Sequence, residues 1–313
     1  MQTGDVSSPA RGAYADLEQL IGLRFPAQKL QLLHRNRALA ALTGPNKSNA
    51  RGRGIDFEEV RSYQAGDDIR SIDWRVTART GDAHTKLFRE ERERPVLLVV
   101  DQRQGMFFGS SHCFKSVLAC HISALLAWAA LSGGDKVGGV VFNEFDHREI
   151  RPRRSRRTVL ALLSELCRYN GSLPLAGQTP GVDLGGTLAQ LRRIARPGSS
   201  VFLVSDFAGI QAEGTREHLY RLARHCQLTA INCSDPLEAE LPRAGHYAVT
   251  DGSDRTALNT ADARLREDYR AAYRQQQQVL ATLMRPLGIP VLHAATDASP
   301  FLLLQTYYAE RQR

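Results

Sequence analysis

Two apolar runs of the sequence each end in a carboxylate, and a hydroxyl group at a helix start lies between them in the chain. The run at residues 95–100 is followed by Asp101, and the run at 201–205 is followed by Asp206. Thr187 belongs to the intervening Gly-Gly-Thr sequence. Carboxylate and hydroxyl oxygens are the ligands that a hard cation such as Mg²⁺ prefers. The three side chains therefore form a candidate cation site if the fold brings them together; otherwise the carboxylates cap local loops or helices.

The elements around these residues must position them. Continuous apolar runs are typical of parallel strands that are buried on both faces. Strands are predicted at 95–100, 137–142, 147–150, 201–206, 228–232, 246–250 and 289–294. Helices are predicted at 114–131, 158–169, 188–195, 214–226 and 260–284, with a short terminal helix. This alternation predicts an α/β fold with a doubly wound, mostly parallel sheet and helices on both faces. Ligands of such sheets bind where the strand order reverses, at the carboxyl ends of the strands.

Composition narrows the class of protein. The chain has 313 residues, of which 42% are hydrophobic and 24% charged, so a wholly disordered chain is excluded. Its formal charge of +8 permits nucleic acid, an acidic membrane or an acidic protein as partner and selects none. Five cysteines without a C-x-x-C spacing indicate buried thiols in a reducing compartment. The longest apolar stretch, 117–131, is shorter than the roughly twenty residues of a membrane span. We expect a soluble, cytoplasmic protein with no membrane span.

The chain ahead of the predicted sheet differs in character from the rest. We predict a smaller N-terminal region over residues 1–92 and the α/β domain over 93–313. Within residues 54–80, acidic and basic side chains alternate densely, which predicts an ion-pair network rather than a second cation site. Trp74 is predicted to anchor this block in an apolar core. The charged residues concerned are Asp67, Asp68 and Asp73 with Arg61, Arg70, Arg75 and Arg79.

The same block carries a family resemblance. Residues 54–74, GIDFEEVRSYQAGDDIRSIDW, followed by Thr77-Ala-Arg-Thr80, resemble the signature of the domain-of-unknown-function family 58. The resemblance covers roughly residues 50–250 and implies a von Willebrand factor A-like domain with an extra N-terminal region. It also implies an adaptor that works with a MoxR-type AAA+ ATPase and with a client protein that the residues do not identify. The signature positions are Asp67, Asp68, Arg70, Asp73, Trp74 and Arg79.

The resemblance extends to a metal site, from which this sequence departs. The metal-ion-dependent adhesion site of von Willebrand A domains begins Asp-x-Ser-x-Ser, whereas this chain has Arg103 and Gly105 in the two serine positions after Asp101. A guanidinium about 4 Å from a divalent ion costs roughly 8 kcal/mol at an effective dielectric of about 20. We therefore predict a degenerate site, without a cofactor, in which Arg103 pairs with Asp101 or Asp206. The alternative is a solvent-facing Arg103, with hydrated Mg²⁺ held weakly by Asp101, Thr187 and Asp206.

Motifs of hydrolytic chemistry are missing from the sequence. It contains no G-x-S-x-G, H-E-x-x-H or Walker A sequence, so we do not expect an enzyme, and a metal-dependent phosphoester hydrolase is the least supported hypothesis. The favoured hypothesis is a non-catalytic protein-binding adaptor that uses the sheet edge and offers Arg103 to a partner carboxylate as a bidentate pair. The residues of that predicted surface are Asp101, Arg103, Gly105, Thr187 and Asp206.

A short basic tract supports a second hypothesis. Residues 151–157 contain five arginines, which could contact the phosphates of a nucleic acid or the carboxylates of an acidic protein. No RNA- or DNA-binding module signature accompanies the tract. The alternative function is therefore a basic nucleic-acid-binding protein, and a solvated helix start is the plain structural alternative. The arginines are Arg151, Arg153, Arg154, Arg156 and Arg157.

Overall fold

The computed structural model describes residues 7–32, 56–64, 72–89, 95–172, 182–250 and 255–308. The chain forms two units, residues 49–93 and a larger unit of residues 1–48 and 94–313. Helices α1 (Leu17–Gly22) and α2 (Arg24–Ala27) belong to the larger unit. The N-terminal region predicted over 1–92 instead groups these helices with residues 49–93.

The smaller unit contains strand β1 (Asp56–Ser62), helix α3 (Trp74–Thr80) and strand β2 (His84–Arg89), with the two strands antiparallel. Asp73 begins α3 because its carboxylate accepts hydrogen bonds from the backbone N–H groups of Arg75 and Val76. The first residue after this cap, Trp74, is 66% exposed. The prediction of Trp74 as a core anchor is therefore wrong, and the half-buried residues of α3 are Val76 and Thr77.

Part of the signature block cannot be compared with the prediction. Asp67, Asp68 and Arg70 lie outside the described residues, so the ion-pair network predicted around them stays a prediction. Arg79 lies exposed in the last turn of α3, where a cation complements the negative end of the helix dipole.

The larger unit alternates strands and helices from residue 95 onward. Its strands are β3 (Val96–Asp101), β4 (Val137–Phe142), β5 (His147–Arg153), β6 (Ser200–Ser205), β7 (Gln227–Ser234), β8 (His246–Thr250), β9 (Arg255–Asn259) and β10 (Val291–Ala295). Its helices are α4 (Lys115–Ser132), α5 (Arg156–Asn170), α6 (Leu184–Ile194), α7 (Thr215–Ala223), α8 (Pro236–Ala239), α9 (Ala263–Met284) and α10 (Pro300–Tyr308). The strands predicted at 95–100, 137–142 and 201–206 are confirmed to within a residue or two.

Six strands form the central sheet in the order β10-β7-β6-β3-β4-β5. All neighbours are parallel except β4 and β5, which are antiparallel. The predicted α/β class with a doubly wound, mostly parallel sheet is confirmed. Along the chain, β3 is the first strand of this sheet. Strands β4 and β5 are then added on one side of β3, and β6 is added on the other side. The strand order thus reverses between β3 and β6, whose carboxyl ends carry Asp101 and Ser205-Asp206.

Apolar cores cover both faces of this sheet. On one face α1, α2, α4, α5 and α10 pack around Val96, Leu98 and Val100, and on the other α6, α7 and α9 pack around Leu97 and Val99. The side chains of one buried strand therefore alternate between the two cores, which is why the strand reads as a continuous apolar run.

Helix α4 lies at the centre of the first core. Among the described residues it is the one helix long and apolar enough to cross a membrane, and 89% of its apolar window is buried inside the fold. Its burial on all sides accounts for its apolar composition, since a helix surrounded by protein needs no polar face.

Candidate functional site

The reversal of strand order brings together side chains from four separate parts of the chain. Asp101 ends β3, Ser205 ends β6 and is followed by Asp206, Lys115 begins α4, and Glu238 lies in α8 after β7. We call Asp101, Arg103, Lys115, Ser205, Asp206 and Glu238 the switch-point cluster.

Asp101 is fully buried and is held by groups on both sides. Its carboxylate accepts a hydrogen bond from the Ser205 hydroxyl at 2.6 Å and another from the backbone N–H of Arg103 at 2.9 Å. The Arg103 guanidinium donates to the same carboxylate from Nη2 at 2.6 Å and from Nε at 3.0 Å. The sequence-based prediction that Arg103 pairs with one of the two aspartates is confirmed for Asp101.

The Arg103 guanidinium is held in place by the protein on several sides. Nη2 also donates to the Ala208 carbonyl at 3.1 Å, and the group lies 5.7 Å from the centre of the Phe142 ring. Burial acts to lower the pKa of Arg103, but the hydrogen bond and charge of Asp101, with the charges of Asp206 and Glu144, raise the pKa overall. Arg103 therefore acts as a fixed cation, and only 15% of its side chain is exposed.

The cluster contains a second fixed cation, Lys115, which was not predicted from the sequence. Its ammonium donates to Asp206 at 2.9 Å and to Glu238 at 2.6 Å, with 2% of the side chain exposed. Burial acts to lower the pKa of Lys115, but the charges of the two carboxylates raise it overall. The sequence contains one sign of this role, since Lys115 is the single Lys, Arg, Asp or Glu residue of a mostly apolar helix. A lysine in the first turn opposes the helix dipole and therefore needs nearby carboxylates.

Glu238 is positioned by a reciprocal cap at the start of α8. The Asp235 carboxylate accepts from the backbone N–H of Leu237, and the Glu238 carboxylate accepts from the backbone N–H of Asp235. Burial acts to raise the pKa of Asp235, but hydrogen bonds from Thr296 and Ser110 lower it overall. This cap fixes the carboxylate that holds Lys115.

The turn after β6 has unusual backbone geometry. Phe207 is the non-glycine residue with positive φ, at 57°, among the described residues, and its N–H donates to the Ser205 hydroxyl at 2.9 Å. That hydroxyl in turn donates to Asp101. On the facing loop, a Cβ atom at Gly105 would lie 3.2 Å from Oδ2 of Asp206, so Gly105 allows the two loops to approach closely.

Thr187 does not join the cluster through any hydrogen bond or ion pair among the described residues. Its buried hydroxyl donates to the Asp183 carbonyl, four residues earlier, at 3.0 Å. The Asp183 carboxylate caps the same helix. The predicted convergence of Thr187 with Asp101 and Asp206 is thus replaced by a local hydrogen bond within α6.

These contacts do not fit a divalent metal ion. The Asp101 and Asp206 carboxylates already bind guanidinium and ammonium groups, and Thr187 is used within its helix. The part of the chain that the structure describes holds no group of three His, Cys, Asp or Glu side chains arranged to bind a metal. Each carboxylate of the cluster is paired with a cationic side chain of the chain itself, Arg103 for Asp101 and Lys115 for both Asp206 and Glu238.

A polar cavity adjoins the cluster. It has a volume of about 250 Å³ and lies between the carboxyl end of β7 and the middle of α9. Asp206 and Glu238 form one wall, while Tyr273 and Gln277 of α9 line the other. The sheet edge therefore presents both a cluster of paired charges and a recess of a size and polarity that suit a polar side chain.

The predicted basic tract lies on a different surface from the cluster. Arg151 and Arg153 lie exposed on the edge strand β5, Arg154 follows it, and Arg156 and Arg157 begin α5. Ser155 caps this helix through its hydroxyl, which accepts from the backbone N–H of Arg157.

Comparison with known proteins adds relatives of similar length. The chain is 29% identical over 285 residues to Uncharacterized protein Rv1480 of Mycobacterium tuberculosis and to Uncharacterized protein Mb1516 of Mycobacterium bovis, covering 91% of this chain and 88% of each relative.

Solved structures resemble parts of the fold more weakly. Conserved hypothetical protein BatB from Bacteroides thetaiotaomicron is 14% identical, covering 68% of this chain and 95% of that chain, with a TM-score of 0.38. An aerotolerance-related membrane protein from Bacteroides fragilis is also 14% identical, covering 68% and 96%, with a TM-score of 0.41.

The family comparison covers most of the sheet and part of the smaller unit. The family described as "Protein of unknown function DUF58" matches residues 59–279, which include β3, the switch-point cluster and most of α9. The chain is a member of the DUF58 family.

Proposed function

We propose that the chain is a non-catalytic protein-binding adaptor whose partner surface is the sheet edge around the switch-point cluster. The observation that supports this most is the 2.6 Å pair between Arg103 and the buried Asp101. In the von Willebrand A-like domains that the sequence resembles, a metal ion at this edge completes its coordination with a carboxylate of the partner. Here a guanidinium provides positive charge at the corresponding edge without a dissociable ion.

The geometry changes how Arg103 would meet such a carboxylate. Nε and Nη2 are engaged by Asp101 and the Ala208 carbonyl, whereas Nη1 makes no hydrogen bond to the described residues. The bidentate pair expected from the sequence is therefore replaced in our proposal by a single contact through Nη1. Phe108, on the loop before α4, accepts a hydrogen bond through its carbonyl from the backbone N–H of Lys115, and its side chain is 40% exposed, as an apolar anchor of a protein interface would be in the free chain.

The cluster's hydrogen bonds support a binding role rather than catalysis. The Ser205 hydroxyl donates to Asp101, whose carboxylate is also paired with the Arg103 guanidinium, and it accepts from the Phe207 N–H, so the hydroxyl is held within the cluster on both its donor and its acceptor side. Lys115 is charged and held by two carboxylates, which removes it as a nucleophile.

The partner follows from the family resemblance. We propose a MoxR-type AAA+ ATPase as the partner, together with a client protein, in the cytoplasm. The cavity beside Asp206 and Glu238 offers a second point of contact for the same partner.

The test is ATP-dependent capture with a matched pair of variants. The full chain is used to capture proteins from a lysate in the presence of a non-hydrolysable ATP analogue, and binding of the recovered ATPase is then measured with purified proteins. Phe108→Ala should weaken binding about tenfold, as truncation of an interface anchor does, whereas Phe25→Ala should not, because Phe25 is similarly exposed but lies on α2. Arg103→Glu is a poor probe, because it would set a carboxylate against the buried Asp101.

Two results would contradict the proposal. One is the absence of an AAA+ ATPase among the captured proteins. The other is equal binding by the wild type and Phe108→Ala, which would remove this edge as the partner surface.

A further inference from the structure

The opposite edge of the sheet, where the parallel strands begin, concentrates arginines. We define the amino edge as the segments that lead into β4, β6, β7 and β10 together with the turn between β5 and α5. These segments are residues 132–136, 192–199, 223–226, 285–290 and 153–157. Because β5 runs antiparallel to β4, with Arg153 opposite Val137, its arginine-rich end reaches this edge rather than the edge with the cluster.

The described segments of the amino edge carry unbalanced charge; residues 90–94, which lead into β3, lie outside the described residues. Its exposed arginines are Arg153, Arg154, Arg156, Arg157, Arg192, Arg193, Arg196, Arg224 and Arg285. The one carboxylate in these segments, Asp135, is buried. None of the arginines forms a salt bridge with a residue in the described part of the chain. This differs from the switch-point cluster, where each cation has its own carboxylate.

The helix at this edge adds to the positive field. Helix α5 begins with Arg156 and Arg157 and has no acidic residue in its first turn. Acidic residues normally offset the positive end of the helix dipole there. The side chains and the helix terminus therefore favour the same ligand, an anion.

The chemistry around the arginines narrows the anion to a phosphate backbone. Among the described residues, none of the amino-edge segments has an exposed large apolar side chain. Protein interfaces and membrane-surface sites use such side chains as anchors, and single-stranded nucleic acid stacks on aromatic rings. Tyr220 is an exposed aromatic residue of α7 that lies outside these segments. Its ring is already covered by the Arg224 guanidinium, which lies 6.0 Å from the ring centre. Arginine pairs with phosphate oxygens through two parallel hydrogen bonds.

The width of the edge suits a duplex. Six strands about 4.8 Å apart span roughly 24 Å, which corresponds to about seven base pairs. We infer that the amino edge binds the phosphate backbone of double-stranded nucleic acid without sequence preference. This surface lies at the other end of the strands from the proposed adaptor surface, so the two inferences are tested independently.

The experiment measures binding of two fluorescently labelled DNA duplexes of unrelated sequence to the full chain. Anisotropy is recorded between about 50 and about 200 mM KCl, a range over which phosphate contacts weaken strongly. Arg153→Gln with Arg196→Gln removes two charges from separate segments of the amino edge. Arg264→Gln with Arg274→Gln removes two exposed charges from α9 and serves as the matched control.

We expect both duplexes to bind with equal affinity. Each lost phosphate contact should reduce the slope of log K against log salt by about 0.9. The amino-edge variant should therefore lose about 1.8 from the slope, and the α9 variant should keep the wild-type slope.

Several results would overturn the inference. One is the absence of duplex binding at about 50 mM KCl. Another is an equal change in the slope of log K against log salt in the two double variants. The third is that poly-glutamate or phosphatidylserine vesicles compete for the chain more strongly, per charge, than unlabelled duplex does. Poly-glutamate would identify an acidic protein as the partner instead, and vesicles would identify an anionic membrane.

Discussion

Replacing Arg103 by serine tests whether the guanidinium stabilises the switch-point cluster. The change removes the partner of a carboxylate that is fully buried. Asp101 keeps the hydrogen bonds from the Ser205 hydroxyl and from the backbone N–H of residue 103. It loses the charged hydrogen bonds from Nε and Nη2. We therefore expect Arg103→Ser to destabilise the fold while leaving the backbone of the turn intact.

The expected loss in the free energy of unfolding follows from the burial of Asp101. Opposite charges about 4 Å apart attract by about 4 kcal/mol at an effective dielectric of about 20. Removing one partner of a buried pair typically costs about 3–5 kcal/mol, because the remaining charge is left unpaired. Since Asp101 retains two hydrogen bonds and 15% of the Arg103 side chain is exposed, we expect the low end, about 3 kcal/mol.

Urea denaturation of the full chain, followed by tryptophan fluorescence and circular dichroism, provides the measurement. The control is Arg103→Ser combined with Asp101→Asn, which removes the unpaired charge. The double variant should lose less free energy of unfolding than the sum of the two single variants. A loss below about 1 kcal/mol for Arg103→Ser, or strict additivity in the double variant, would refute the reasoning.

A double variant that includes Arg103→Ser also tests metal binding. Arg103→Ser with Gly105→Ser restores the two hydroxyls expected in the resembling metal site, and the new Cβ atom lies 3.2 Å from Oδ2 of Asp206, so a small loop shift accommodates it. Excess Mg²⁺ should stabilise this variant, by about 2.7 kcal/mol at a hundred times its Kd, and leave the wild type unchanged. Tight Mg²⁺ binding by the unmodified protein in calorimetry would contradict the degenerate site.

Two further predictions concern stability. Lys115→Met leaves the Asp206 and Glu238 carboxylates without their cation and should reduce the free energy of unfolding, measured in urea, by about 3 kcal/mol. Adding Asp206→Asn should restore part of that loss. An unchanged free energy of unfolding in Lys115→Met would show that the ammonium is dispensable. Burial lowers the pKa of His121 to about 4 from its ordinary value near 6.5, so the folded state resists protonation. Stability should therefore fall by about 3 kcal/mol as pH decreases from 6.5 to 4, and His121→Leu should lack this loss in denaturation curves recorded across the interval.

The strands of the central sheet were predictable because the requirement that shapes their sequences, burial on both faces, shows in each strand by itself. A strand covered by helices on both faces needs apolar residues at every position, and the run 95–100 meets that requirement without reference to the rest of the chain. That Arg103 pairs with Asp101 or Asp206 was predicted from its place in the resembling metal motif, and the structure selects Asp101, which lies two positions earlier at the end of β3.

The remainder of the site depends on distant contacts. Lys115 meets carboxylates 91 and 123 positions away, and no local pattern encodes such a separation. The partner of Thr187 was missed for the opposite reason. Its hydroxyl bonds the carbonyl one turn earlier, a contact available to any threonine within a helix and thus without a distinguishing signal.

Trp74 shows the limit of composition as a guide. A large aromatic in a charged block suggests a core anchor, but its exposure depends on which side of α3 is covered by the rest of the smaller unit. The cap at Asp73 fixes where the helix begins and hence that side.

The tethering of Arg103 to the chain has a consequence for how the sheet edge responds to its surroundings. A bound ion occupies its site in proportion to its free concentration, so chelation or ion depletion empties it. A guanidinium two residues from its carboxylate is always present at the site, at an effective concentration fixed by the backbone. The charge of this edge is thereby set when the chain is synthesised, and chelators such as EDTA should leave the stability of the isolated chain unchanged.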